Sequence, residues 1–96
     1  LRFWELRLLK SIMELRKKID AIDENFVLLL KDRLELCKRI GKVKEENGLA
    51  VKDYKREDEV YLHIMGKALE SGLDPQKVEA IFKQIIALGV SVQGAE

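Results

Sequence analysis

Apolar residues fall at Ile12, Leu15, Ile19, Ile22, Phe26, Leu29, Leu36, Ile40 and Val43, a three-four alternation broken at one place. Such a seam belongs to one long amphipathic helix that lays a narrow apolar stripe against other helices. Ser11-Ile12-Met13-Glu14 reads as a capping box at its start, and Asn47-Gly48 as its stop. Roughly 36 residues at the helical rise span about 55 Å. That exceeds what a chain of 96 residues wraps on its own. A partner chain is expected. Leu1 to Lys10, with Phe3, Trp4 and Leu8, either extend the helix backwards or form a separate arm, so residues 1–10 are set apart as an extension and 11–96 as the domain.

Two shorter helices follow. Asp53 suits an N-cap, with Glu57, Asp58 and Glu59 at the positive end of the dipole. The apolar stripe of this second helix is Val60, Tyr61, Ile64, Met65, Ala68 and Leu69, and Ser71-Gly72 ends it. Asp74-Pro75 opens a third helix, Asp as cap and Pro in the first turn, with the stripe Val78, Ile81, Phe82, Ile85 and Ile86. Strand-like alternation is absent. The expected fold is all-α: one long helix and two shorter ones in an intertwined helical-bundle homodimer.

The 18 Lys and Arg against 17 Asp and Glu leave a net charge of +1, which argues against a nucleic-acid or membrane-surface binder. Any anion site is therefore local. No apolar run reaches the length of a membrane span. The single Cys37 forms no intrachain disulfide, and neither it nor the sole His63 belongs to a metal-ligand pattern. No metal and no cofactor are expected, and the setting is taken as reducing and cytoplasmic. Cys37 reads as a small buried hydrophobe rather than a nucleophile, since no histidine lies near it in sequence.

The break in the seam is Arg33, where an apolar residue belongs between Leu29 and Leu36. A core-facing charge is costly unless it is paired or hydrogen-bonded. Either Arg33 meets a buried carboxylate or sets the register of the bundle, or its partner is an anionic ligand in a core cavity. Lys44 lies eleven residues on, within about 20° of the same azimuth and roughly 16 Å along the axis, so the two side chains can converge on a small molecule. Arg16 is about 25 Å from Arg33 and roughly 100° round the helix. It reaches a similar site only in another subunit. Gln93 shares the inward face of Phe82 and, if buried, needs hydrogen-bond partners; the alternative is a fraying last turn. Asp53, Arg56 and Glu57 cluster at the start of helix two, where a capped, solvated helix end is the ordinary reading.

Taken together, Leu15-Arg16-Lys17-Lys18-Ile19-Asp20-Ala21-Ile22-Asp23, Arg33 in its leucine-rich stretch, and Ile40-Gly41-Lys42-Val43-Lys44 form one pattern. Val51-Lys52-Asp53, Arg56-Glu57, and Phe82-Lys83-Gln84-Ile85-Ile86 followed by Gln93 complete it. Over residues 12–93 the chain resembles the all-helical chorismate mutases. The resemblance implies a homodimer with two sites, chorismate as substrate and prephenate as product, in phenylalanine and tyrosine biosynthesis. It implies that Arg33, Lys44 and Arg56 act in their own site and that Arg16 reaches in from the partner chain, the four binding the two carboxylates and the ether oxygen. Lys44 and Gln93 match the pair that donates to that oxygen, with Arg33 beside them, and Glu57 with the backbone near Asp53 matches the contact to the ring hydroxyl. Gly89 stands where many members have a Ser that hydrogen-bonds the substrate, which removes one contact and loosens helix three by about 1 kcal/mol.

Two other functions fit the same residues: an isochorismate pyruvate-lyase of the same fold, and a non-catalytic helical dimerisation or regulatory module. The chain opens on Leu1 and carries an internal Met13, so trimming, an upstream extension or a larger polypeptide are all open. Chorismate mutase modules are often joined to another shikimate-pathway enzyme.

Overall fold

The computed structural model describes residues 1–94, in which three helices follow one another: α1 Phe3–Glu46, α2 Tyr54–Glu70 and α3 Pro75–Val92. There is no strand among the described residues. The structure divides within α1 into one unit of Leu1–Asp32 and a second that begins at Arg33.

The first unit is helical from Phe3 onward and passes through Lys10 and Ser11 without a break. The capping box expected at Ser11 does not form, because Ser11 is an interior helical residue. The cause lies upstream: Trp4 to Lys10 contain no glycine or proline and are rich in Leu, Arg, Lys and Glu, all good helix formers. Nothing turns the chain out of the helix, so a cap has no terminus to act on. Within the single chain, Leu15, Ile19, Ile22, Phe26 and Leu29 are each more than half exposed. The seam thus exists and is bare.

In the second unit the end of α1 stops as the sequence predicts. Gly48 adopts φ 65°, the Leu49 N–H donates to the Lys44 carbonyl at 2.8 Å, and the Gly48 N–H donates to Glu45 at 3.3 Å. This paired closure satisfies two carbonyls that the helix leaves free, and it needs a residue without a Cβ at the left-handed position. The same closure ends α2: Gly72 has φ 75°, Leu73 N–H donates to Ala68 at 2.9 Å and Gly72 N–H to Leu69 at 3.2 Å. Asp53 and Asp74 are the N-caps of α2 and α3, each carboxylate accepting from backbone N–H groups of the first turn.

α2 and α3 pack on each other through Val60, Tyr61, Ile64, Met65 and Ala68 of one and Val78, Phe82, Ile85 and Ile86 of the other, all at least half-buried. Two members of the expected stripes lie outside this contact: Leu69 and Ile81 face solvent. Each sits at the edge of its stripe, where a helix face turns away from its neighbour. Among the described residues only Ala68 and Ile86 are buried apolar side chains. α3 is continuous through Gly89 to Val92. No helix of the described residues is long and apolar enough to cross a membrane.

Candidate active site

One cavity of about 270 Å³ lies within the second unit, walled by the end of α1, the start of α2 and the last turns of α3. Arg33, Lys44, Asp53, Arg56, Glu57, Gly89 and Gln93 all line it. These seven, singled out in the sequence, come together in space from three separated segments. Arg16 belongs to the first unit and is not among the lining residues.

The three cations and two carboxylates of the lining leave one net positive charge, and the cations are not equally free. Arg56 is largely exposed and pairs with Glu59 at 3.5 Å, a one-turn surface contact of little strength. Arg33 and Lys44 are half-buried, and among the described residues neither has a carboxylate partner. The Arg33 guanidinium has only the Cys37 sulfur, 3.9 Å from Nη1. Of the two readings of Arg33, the buried carboxylate pair is absent within the described chain, and the charge faces a cavity instead. Partly desolvated cations without counterions favour an anion.

Lys44 is held with more precision. Its Nζ donates to the Val51 carbonyl at 2.6 Å and to Gln93 Oε1 at 2.7 Å. An ammonium has three N–H donors and no acceptor, so Lys44 keeps one donor for a ligand and forces the Gln93 amide to present its oxygen. Gln93 Nε2 then points the other way and donates to the Gly89 carbonyl at 3.1 Å, with its second hydrogen unassigned. Gln93 is the C-cap of α3, half-buried and bonded at both ends of its amide.

At the start of α2, two of the three residues are exposed in a capped helix end while also lining the cavity. Asp53 Oδ1 accepts from the Arg56 N–H at 3.0 Å, and both side chains are exposed. Glu57 turns inward. Its Oε2 is buried and has no hydrogen-bond partner among the described residues. A buried acceptor left unpaired costs on the order of 1–3 kcal/mol, so this oxygen calls for a donor that the described chain does not supply.

Two further residues bear on the site, one in its wall and one beside it. Cys37 is not a fully buried core residue; it lines the cavity against Arg33. Gly41 is buried where α1 passes the end of α3, and a Cβ there would stand 2.7 Å from the Cα of Gln93. Only a residue without a side chain lets the C-cap approach this closely. Its signal in the sequence is a glycine inside an otherwise strong helical seam, which requires a packing reason. Gly41→Ala is expected to cost about 2 kcal/mol by overpacking and to lower Tm by on the order of 10 °C. Thermal denaturation followed by circular dichroism checks this.

A half-buried, uncompensated cation pair, a lysine-glutamine couple with donors to spare and an orphaned carboxylate oxygen define an all-helical site for a small polar anion. A model of the family described as chorismate mutase type II matches residues 15–94. The chain belongs to that family. It is 35% identical over 88 residues to a bifunctional chorismate mutase/prephenate dehydratase of Aquifex aeolicus, a match covering 88% of this chain and 24% of that protein. It is 29% identical over 86 residues to the chorismate mutase of Methanocaldococcus jannaschii, covering 90% of this chain and 87% of that one. Among solved structures, a conserved hypothetical protein from Pyrococcus furiosus aligns with a TM-score of 0.69 at 36% identity, over 86% of this chain and 95% of that chain. The chain thus spans about a quarter of the bifunctional relative and most of the other two.

Proposed function

We propose that this cavity binds chorismate and rearranges it to prephenate, as the family's name implies. The carrying observation is the Lys44 ammonium, fixed by two neutral acceptors at 2.6 and 2.7 Å beside Gln93, with one donor left for the cavity. The reaction breaks the ether C–O bond and forms a C–C bond within one molecule, so it needs neither a nucleophile nor a proton transfer. It needs the substrate folded on itself and the growing negative charge on the ether oxygen stabilised. Donors already oriented in a water-poor cavity serve the second need. Cations that grip the carboxylates serve the first by restricting the bound conformers. In this reading Lys44 and Gln93 address the ether oxygen, Arg33 and Arg56 the carboxylates, and Glu57 Oε2 accepts from the ring hydroxyl. Gly89 offers only backbone and contributes no hydrogen bond of its own to the substrate.

The working form is a homodimer in which Arg16 of each chain completes the partner's site. The bare seam from Leu15 to Leu29 and the very small single-chain core support this, since an exposed apolar stripe of such length is covered in a stable protein. Assayed with chorismate well below KM, Arg16→Ala and Arg33→Ala are each expected to be nearly inactive alone. Mixed and re-equilibrated in equal amounts, half of the dimers carry one site with both residues intact, restoring about a quarter of the wild-type rate. No recovery would place Arg16 outside the site. The Cys37 thiol in the cavity wall suits a reducing, cytoplasmic setting. In the bifunctional relatives the matching portion is one part of a longer enzyme, and a similar joining of this chain to a second shikimate-pathway activity belongs to the same proposal.

The test is direct: chorismate absorbance is followed with purified protein and the product identified by chromatography. Prephenate supports the reading. Pyruvate released from isochorismate, with chorismate untouched, would assign the lyase instead, and inertness toward both would leave a helical dimerisation module.

A further inference from the structure

Gly89 is buried, and a Cβ built on it meets the Arg33 Nη1 at 3.2 Å and the Cys37 Sγ at 3.1 Å, with the Cys37 Cβ at 4.0 Å. Both contacts are closer than side-chain carbons ordinarily tolerate. The hydrogen atom of Gly89 thus leaves a shallow berth on α3, and the guanidinium of Arg33 lies in it. One turn further along α1, the Cys37 sulfur stands 3.9 Å from the same Nη1 and bounds the berth alongside it. Arg33 has no carboxylate among the described residues to fix its position, so these walls do it.

We propose that Gly89 and Cys37 are positioning residues for Arg33: the absent side chain at 89 makes the berth, and the Cys37 thiol stops the guanidinium within it. This rests on the reading of the cavity as a chorismate site only for its kinetic consequence. The thiol suits its place because sulfur is large, polarisable and a weak acceptor, able to touch a guanidinium without neutralising it.

Positions 37 and 89 are therefore coupled through Arg33. A methyl group at 89 presses on both the sulfur and the guanidinium, and removing the sulfur gives the guanidinium somewhere to go. An arginine that holds a carboxylate alike in substrate and transition state acts on KM rather than kcat. Gly89→Ala is therefore expected to raise KM for chorismate about tenfold with kcat changed less than about threefold, and Cys37→Ala to raise KM about threefold. The double variant should stay near the Gly89→Ala value rather than reach the product of the two effects, because the second change relieves the first.

A substrate-free readout runs alongside: the Arg33 Nε–H signal in a nitrogen-15 spectrum, assigned by its loss in Arg33→Lys. It should move in both single variants and return toward the wild-type position in the double variant. Multiplicative KM effects, or lowered Tm with KM and the Arg33 signal unchanged, would overturn the proposal and leave Gly89 a packing residue. If the wild-type protein does not turn over chorismate, that reading fails by itself, and the Arg33 signal alone decides the positioning role. If Gly89→Ala does not fold, Cys37→Ala approaches the berth from the side that only loses volume, and an unmoved Arg33 signal there is equally fatal.

Discussion

Lys44→Ala is expected to lower kcat by about a thousandfold, the loss typical of removing one preorganised donor to a developing oxyanion. The steady-state rate of chorismate loss measures it. The size follows from how Lys44 is held: donors to Val51 and Gln93 at 2.6 and 2.7 Å fix the ammonium before any ligand arrives, so none of its orienting cost falls in the transition state. Truncation also frees Gln93 Oε1, and the amide then has no reason to keep its nitrogen on the Gly89 carbonyl. One substitution disturbs both groups proposed to meet the ether oxygen. Near-normal turnover in Lys44→Ala would sink the proposed mechanism, whatever the fate of the substrate assignment.

Arg33→Ala is expected to lose about a hundredfold or more in kcat/KM, as when one member of a desolvated charge pair is removed. Its stability should move the other way. Arg33 is a half-buried charge that the described chain leaves without a counterion, and deleting it removes a desolvation cost while vacating modest volume. Tm should hold or rise. An inactive protein of unchanged or higher Tm separates the ligand-binding role of Arg33 from a structural one, since a residue that merely specified register would unsettle the bundle when lost.

The helices were legible because their signals are local. Asp53 and Asp74 cap, Gly48 and Gly72 terminate, and each acts through its nearest backbone groups. The false start at Ser11 shows the limit of such signals: a capping motif is also an acceptable helix interior, and only the helix-forming residues before it decide between the two. Of the site, the charged residues were legible because a cation in an apolar seam is conspicuous and because eleven residues return a helix to the same face. Glu57 and Gln93 needed the resemblance, since a carboxylate near a helix start and a glutamine near a helix end are ordinary. Gly41 is conspicuous as a glycine within the helical seam, but neither it nor Cys37 carries a clue to what it faces. Their importance lies in what stands across from them, 52 positions away for Gly41 and Gln93, and no local pattern encodes a distance of closest approach.

The placement of Gln93 has a dynamic consequence. A C-cap is the part of a helix that opens first, through local fluctuations that leave the rest of the fold intact. One of the two groups proposed to meet the ether oxygen therefore rides on the turn with the lowest intrinsic resistance to opening, restrained by the glycine of α1 against which it lies and by the Lys44 ammonium. Amide hydrogen exchange at the end of α3 should then report on catalytic competence more faithfully than global melting does. Warming should disable the site by a local opening, reversible on cooling, well below the temperature at which the helices part.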